Sequence, residues 1–190
     1  GTRMKSSLPK VLHKVGGRSM LAHALAAAGA LQPAAVSVVV GPDMDAVRDA
    51  ALAEVPMADV VVQAERKGTA DAVLAAREAI DAHAGDVLVL YGDTPLLTAA
   101  TLARVLARLD DGAGVAVLGF EAADPAGYGR LLCDDGGWLT ASREEKDASA
   151  EERKIRLCNS GVMAFRIDDL GGLLSRIGSD NAKGEYYLTD

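Results

Sequence analysis

Gly1-Thr2-Arg3-Met4 leads into Leu8-Pro9-Lys10, which places a glycine, an arginine and a lysine in one short stretch. Such a set suits phosphate. Glycine lets backbone amides close on an anion, arginine offers a planar fork of donors, and lysine supplies a mobile point charge that can follow charge as it develops. The same stretch also reads as a solvated basic terminus. A second group, Tyr91-Gly92-Asp93, follows the apolar run Asp86 to Leu90. An aspartate just past the carboxyl end of a strand stands where open α/β sheets bind ligands. Its hard oxygens suit Mg2+, which takes one or two protein carboxylates and completes its shell with phosphate and water. Asp-x-Pro also favours turns, so Asp93 has a purely local reading as well.

Gln63 ends another apolar run and is followed by Gly68-Thr69. A side-chain amide donates and accepts at once, which matches the adjacent carbonyl and imide N–H of a uracil-type edge. The plainer reading is a polar strand end. Gly129 and Asn159 lie where strands change character, and Glu144 opens a polar segment. Their mix of donors and acceptors fits sugar hydroxyls, although each alone reads as a turn or surface residue.

The elements that must position these groups alternate short β-branched runs with longer stretches of helical period, the signature of βα units. The pattern predicts strands at 36–40, 59–63 and 86–91, with helices at 19–31, 69–82 and 99–109. The last helix has Leu102, Val105, Leu106 and Leu109 on one side and Thr98 as its N-cap. Strands at 115–120 and 129–133, a Gly136-Gly137 turn and a partner strand at 138–142 predict an antiparallel insertion. A strand at 156–165 is interrupted by Asn159-Ser160-Gly161, an irregularity that invites a ligand. A helix at 168–177 follows. The expected fold is α/β, a mainly parallel Rossmann-like sheet with helices on both faces and a small antiparallel lobe.

The chain has 190 residues, 49% of them hydrophobic and 25% charged, within the range of one globular domain with a sizeable core. Its 20 Lys plus Arg against 27 Asp plus Glu leave a net charge of −7. That balance speaks against a basic nucleic-acid surface and against binding to anionic membranes. No run approaches the length of a membrane span and no signal peptide is visible, so the expected location is the cytoplasm. Cys133 and Cys158 lack CxxC spacing and read as small core residues in a reducing compartment; a disulfide between them stays open but is not needed. His13, His23 and His83 show no triad or zinc spacing, and no P-loop, GxGxxG or GxSxG pattern occurs. Both ends read as interrupted. Residues 1–190 are expected to form one domain, incomplete at each end.

Taken together, the opening loop, Gln63-Ala64-Glu65-Arg66-Lys67-Gly68-Thr69, Tyr91-Gly92-Asp93, Gly127-Tyr128-Gly129-Arg130, Glu144-Glu145-Lys146-Asp147-Ala148, Asn159-Ser160-Gly161 and Gly184-Glu185-Tyr186-Tyr187-Leu188-Thr189-Asp190 resemble the motifs of the sugar-1-phosphate nucleotidylyltransferases, in that family's order. Within the family they are similar to the N-acetylglucosamine-1-phosphate uridylyltransferase domains of bifunctional bacterial enzymes. The resemblance implies Mg2+-assisted, in-line transfer of uridylyl from UTP to N-acetylglucosamine 1-phosphate, giving UDP-N-acetylglucosamine and pyrophosphate. It implies catalytic roles for Arg3 and Lys10, nucleotide contacts from Gly1, Lys10, Gln63, Gly68 and Thr69, and sugar contacts from Tyr91, Gly129, Glu144 and Asn159. Asp93 would be the metal ligand, and the family's second ligand, an asparagine, lies beyond Asp190.

There are departures. The family's loop starts upstream of Gly1, Glu145 stands where it has histidine, and Ser142-Arg143 replaces an apolar pair. No hexapeptide β-helix for acetyl transfer is present, and the oligomeric state stays open. Rival readings are another sugar-1-phosphate nucleotidylyltransferase and a silent sugar-nucleotide-binding module. A glycosyltransferase ranks last, because Asp93-Thr94-Pro95 is not Asp-x-Asp.

Overall fold

The computed structural model describes residues 6–189. Gly1 and Arg3, expected at a phosphate, lie outside the described residues. After a 3-10 turn at Lys10–Leu12 come β1 (Lys14–Val15), β2 (Arg18–Ser19), α1 (Met20–Gly29), β3 (Ser37–Val40), α2 (Asp45–Glu54) and β4 (Asp59–Val62). Then follow α3 (Thr69–Ala75), α4 (Arg77–Asp81), β5 (Asp86–Val89), α5 (Ala99–Asp110) and β6 (Val115–Glu121). The chain continues through β7 (Arg130–Cys133), β8 (Leu139–Arg143), β9 (Leu157–Arg166) and α6 (Ile167–Leu174).

Local chemistry sets many of these boundaries. Ser19 caps α1 by accepting from Ala22 N at 3.1 Å, and Thr98 caps α5 by accepting from Thr101 N at 3.2 Å. The β7–β8 hairpin turns at Gly136-Gly137 as expected: Asp134 Oδ1 accepts from the amides of Gly136 and Trp138, each at 2.9 Å, while Gly137 takes φ +81°.

The α/β class holds, and the strand pairing refines it. β3 and β4 pair in parallel, with Val40 opposite Val62. β9 runs antiparallel to β5, β6 and β7 in a five-stranded sheet that ends on β8. Parallel pairing is thus confined to β3–β4 among the described residues, where a mainly parallel sheet was expected. The reason lies in the connection: β9 returns from the β7–β8 lobe directly against β6, and antiparallel neighbours need no crossover helix.

Helices cover both faces of β9, because its side chains alternate sides. Met163 and Phe165 pack with Ala70 and Val73 of α3 and Leu170 and Leu174 of α6. Ala164, on the other side, packs with Val105 and Leu109 of α5. A separate cluster of Leu21, Leu25, Val38, Val40, Val47 and Ala51 joins α1, α2 and β3, and Val11 and Leu12 pack onto it. Those two apolar residues hold the 3-10 turn that carries Lys10.

Three further readings change. The helix expected over 69–82 breaks at Ala76, where φ is −90° and ψ 10°. α2 has no counterpart in the sequence reading. Cys158 is a buried core residue, but Cys133 is exposed on β7, and both are free thiols. Among the described residues, no helix is long and apolar enough to cross a membrane.

Candidate active site

Gln63 follows the parallel pair β3–β4, with its amide held on Val40 O at 2.8 Å. Its side-chain Nε2 donates to Gly68 O at 3.0 Å and to Asp71 Oδ2 at 2.7 Å. The loop between them closes on Gly68, whose φ of +126° and ψ of −176° lie where L side chains rarely go. A backbone segment far along the chain seals this loop. Tyr186 N donates to Lys67 O at 2.7 Å, Ala70 N donates to Tyr186 O at 2.9 Å, and Leu188 N donates to Thr69 Oγ1 at 2.8 Å. A β-carbon on Gly68 would stand 2.7 Å from Tyr186 N and nearer still to its carbonyl.

Lys10 and Asp93 meet in an ion pair, with the lysine side chain 53% and the aspartate 29% exposed. Two strand-end features make that meeting. The turn after Pro9 is closed by Leu12 N to Pro9 O at 3.0 Å. Gly92 lets the same turn approach, since a β-carbon there would sit 3.3 Å from Val11 Cγ1.

The third group surrounds Tyr91. Opposite the single residue Leu118, β9 bulges through Ser160-Gly161-Val162, because Val117 pairs with Met163 and Gly119 with Asn159. Gly161 takes φ +84° there, and a β-carbon on it would fall 2.7 Å from Tyr91 Cδ2. The Asn159 side chain holds the bulge, its Oδ1 accepting from Gly161 N at 2.8 Å. Asn159 N in turn donates to Gly129 O at 2.9 Å. The Glu144 carboxylate lies against Gly129, at 3.1 Å from where a β-carbon would be.

Burial raises the Tyr91 phenol above its ordinary value, a hydrogen bond with Thr69 offsets part of that, and the charges of Glu144 and Asp93 add to the rise. The neutral phenol is therefore favoured in the folded state. This contribution to stability is fully present below the ordinary tyrosine value of 10.0 and is lost as the pH rises through the higher folded value. Tyr91→Phe should accordingly flatten the alkaline fall in stability, read as urea midpoints on either side of pH 10.0. An unchanged alkaline slope would mean that Tyr91 does not carry it.

Nine expected positions are thus placed. Thr69, Tyr91, Gly129, Glu144 and Asn159 gather in one cluster, Asp93 and Lys10 adjoin it, and Gln63 and Gly68 form the neighbouring loop. Several residues have roles that the sequence reading does not assign. Asp71 and the backbone of 186–188 serve the Gln63 loop. Arg130, 1% exposed within β7, pairs with Glu145 at 2.7 Å and donates to Tyr128 O and to Arg153 O. A charged side chain inside an apolar strand was the available signal for it. Its pairing also accounts for an acid at position 145, since a buried guanidinium needs a counter-charge.

His13 follows the turn that carries Lys10, its Nε2 buried without a hydrogen-bond partner among the described residues, and the other two histidines are engaged elsewhere. His23 and His83 bond to the carbonyls of Val15 and Ala79 at 2.7 and 2.9 Å. An open hollow of about 790 Å3 lies beyond Glu144, between Val115, Met163, Phe165, Leu174 and Leu188. Neither Lys10 nor Asp93 lines it, and its wall mixes those apolar residues with Arg143, Glu144, Asp147, Arg176 and Asn181.

Residues 1–155 match the MobA-like NTP transferase domain. The chain belongs to that family. This NTP transferase domain is 58% identical over 190 residues to the bifunctional protein GlmU of Bradyrhizobium sp. (strain ORS 278). It is 57% identical to the proteins of that name from Azorhizobium caulinodans and Rhodopseudomonas palustris. In each case the match covers 100% of the chain and 42% of the relative, so the domain spans well under half the length of these proteins. A crystal structure of UDP-glucose pyrophosphorylase complexed with UDP-glucose shares its fold, with a TM-score of 0.79 at 16% identity, over 100% of this chain and 80% of that one. Nucleotidyltransferases of this kind generally work with a divalent metal.

Proposed function

We propose that the chain transfers uridylyl from UTP to N-acetylglucosamine 1-phosphate, releasing pyrophosphate and giving UDP-N-acetylglucosamine, in the cytoplasm. The observation that carries this reading is the Lys10–Asp93 pair near Tyr91, whose phenol bonds to Thr69 at the end of the Gln63 loop and feels the charge of Glu144 in the cluster with Asn159. A nucleotide on the loop and a sugar in the cluster would bring their phosphates together at that pair. High identity to proteins named GlmU supports the choice of substrates.

The chemistry needs little covalent help from the protein. An anionic oxygen of the sugar phosphate attacks the α-phosphorus, a new P–O bond forms, and the bond to the β-phosphate oxygen breaks with its electrons leaving on pyrophosphate. Because the nucleophile is already charged, no general base is required, and catalysis is positioning with charge stabilisation. Lys10, on a turn anchored by Val11 and Leu12, supplies a cation to the phosphates, with Arg3 as its partner. Gln63, Gly68 and Thr69 hold the nucleoside, Gly1 the phosphate side, and Gly129, Glu144 and Asn159 the sugar. Tyr91 and Thr69 flank the acetamido group.

Asp93 fits a Mg2+ site of low protein coordination. Its partly exposed carboxylate already accepts a cation, the Lys10 ammonium. Among the described residues no group of three or more metal-binding side chains competes for one. When bound, Mg2+ would neutralise charge on the phosphates there.

The test is pyrophosphate release from UTP with N-acetylglucosamine 1-phosphate, with and without Mg2+, beside glucose 1-phosphate and dTTP. Selective, Mg2+-dependent release is expected. Release with another pair would reassign the substrate, and binding of UDP-sugar without release would leave a silent binding module.

A further inference from the structure

The Gln63 amide is more constrained than a base-reading amide needs to be. Both hydrogens of Nε2 are committed, one to Gly68 O at 3.0 Å and one to Asp71 Oδ2 at 2.7 Å. The assignment of nitrogen and oxygen is enforced by chemistry, because both partners are acceptors and only an N–H can meet them. Oε1 is therefore the end of the amide left over. Among the described residues it has no hydrogen-bond partner, and it is not fully buried.

We propose that Asp71 determines base specificity by locking Gln63 with its oxygen outward. This rests on the reading that Gln63 faces the nucleobase. In this orientation Gln63 can accept the imide N–H of uracil or thymine, whereas cytosine presents a lone pair at the same ring position and meets an oxygen. Turning the amide over would relieve cytosine, but it would press Oε1 against a carbonyl and a carboxylate at hydrogen-bonding distance. The carboxylate matters most, since a hydrogen bond to a charged acceptor is stronger than one between neutral groups. Asp71 acts on the base through Gln63, which makes it a positioning residue, and its charge is also felt by the exposed Lys67 ammonium. It sits in the first turn of α3, where the helix backbone fixes its place relative to Gly68.

Asp71→Asn is the sharp variant. It keeps the size of the side chain but can offer Gln63 either an oxygen or an NH2, so both amide orientations become available. Asp71→Ala removes the constraint altogether. The measurements are calorimetric titrations of UDP and CDP against the protein and both variants, and the UTP-to-CTP ratio of kcat/KM, with thermal unfolding as a check on folding. The preference for the uracil nucleotide should fall by about 10–100-fold in Asp71→Ala and by less in Asp71→Asn. A purely structural role would lower affinity for both nucleotides together and leave the ratio unmoved. A ratio kept within about twofold in a folded variant, or a protein that binds UDP and CDP alike, overturns the proposal. Failure of the functional reading looks different: no pyrophosphate would be released from UTP, while the UDP-to-CDP binding ratio would still respond to Asp71.

Discussion

Gly68→Ala should destabilise the protein by about 3–5 kcal/mol and remove most of its nucleotide binding. Two costs combine. The backbone conformation, φ +126° with ψ −176°, is one that an L side chain occupies only under strain. The added methyl would also meet backbone, at 2.7 Å from Tyr186 N and 2.8 Å from Tyr186 C. Backbone cannot rotate aside as a side-chain tip can. Either the loop or the 186–188 segment must move, and the bonds from Lys67, Thr69 and Ala70 to that segment are lost with it. Urea unfolding and a UDP titration read the two effects. A loss below about 1 kcal/mol with normal affinity would show that the segment yields easily and does not shape the loop.

Asp93→Asn is expected to do the reverse, leaving stability within about 1 kcal/mol while lowering kcat by about 100–1000-fold. Stability is insensitive because the Lys10 partner is 53% exposed and water screens such pairs. Turnover is sensitive because, on the proposed reading, the substitution removes the carboxylate paired with Lys10 beside Tyr91. The concentration of Mg2+ needed for half-maximal rate should rise as well. Thermal unfolding and steady-state rates across a Mg2+ series check both halves. Near-normal kcat in the folded variant would remove Asp93 from the metal site.

How far these features were legible in the sequence depends on how local their causes are. α5 was readable to within a residue because Leu102, Val105 and Leu109 are all buried and Thr98 caps it through its own side chain. α2 was not, because only Val47 and Ala51 face inward and alanine marks no face in an alanine-rich chain. The break between α3 and α4 falls at Ala76, with no Gly or Pro to announce it. Strand positions were close, but a strand's direction relative to its neighbours is a property of the connections, so the antiparallel course of β9 could not be read from its residues. The bulge that follows Asn159 was legible as an interruption of an apolar run at Asn159-Ser160-Gly161. Its role in making room for the Tyr91 ring required the third dimension. Likewise Gln63 was legible as an amide at a strand end, whereas the capture of its nitrogen by Asp71 depends on where α3 begins.

The seal on the Gln63–Thr69 loop also sets a clock for assembly. Thr69 and Leu188 are separated by 119 positions. At ~5–20 residues per second, a ribosome adds that length in roughly 6–24 s. Throughout that interval Gly68 and its neighbours have been made, yet Tyr186 and Leu188, which close over them, do not exist. One of the core clusters can collect early, since α1, β3, α2 and β4 contact one another over short spans. The Gln63–Thr69 loop is among the last parts to acquire its shape, so an ordered loop marks a chain that has folded as far as Leu188.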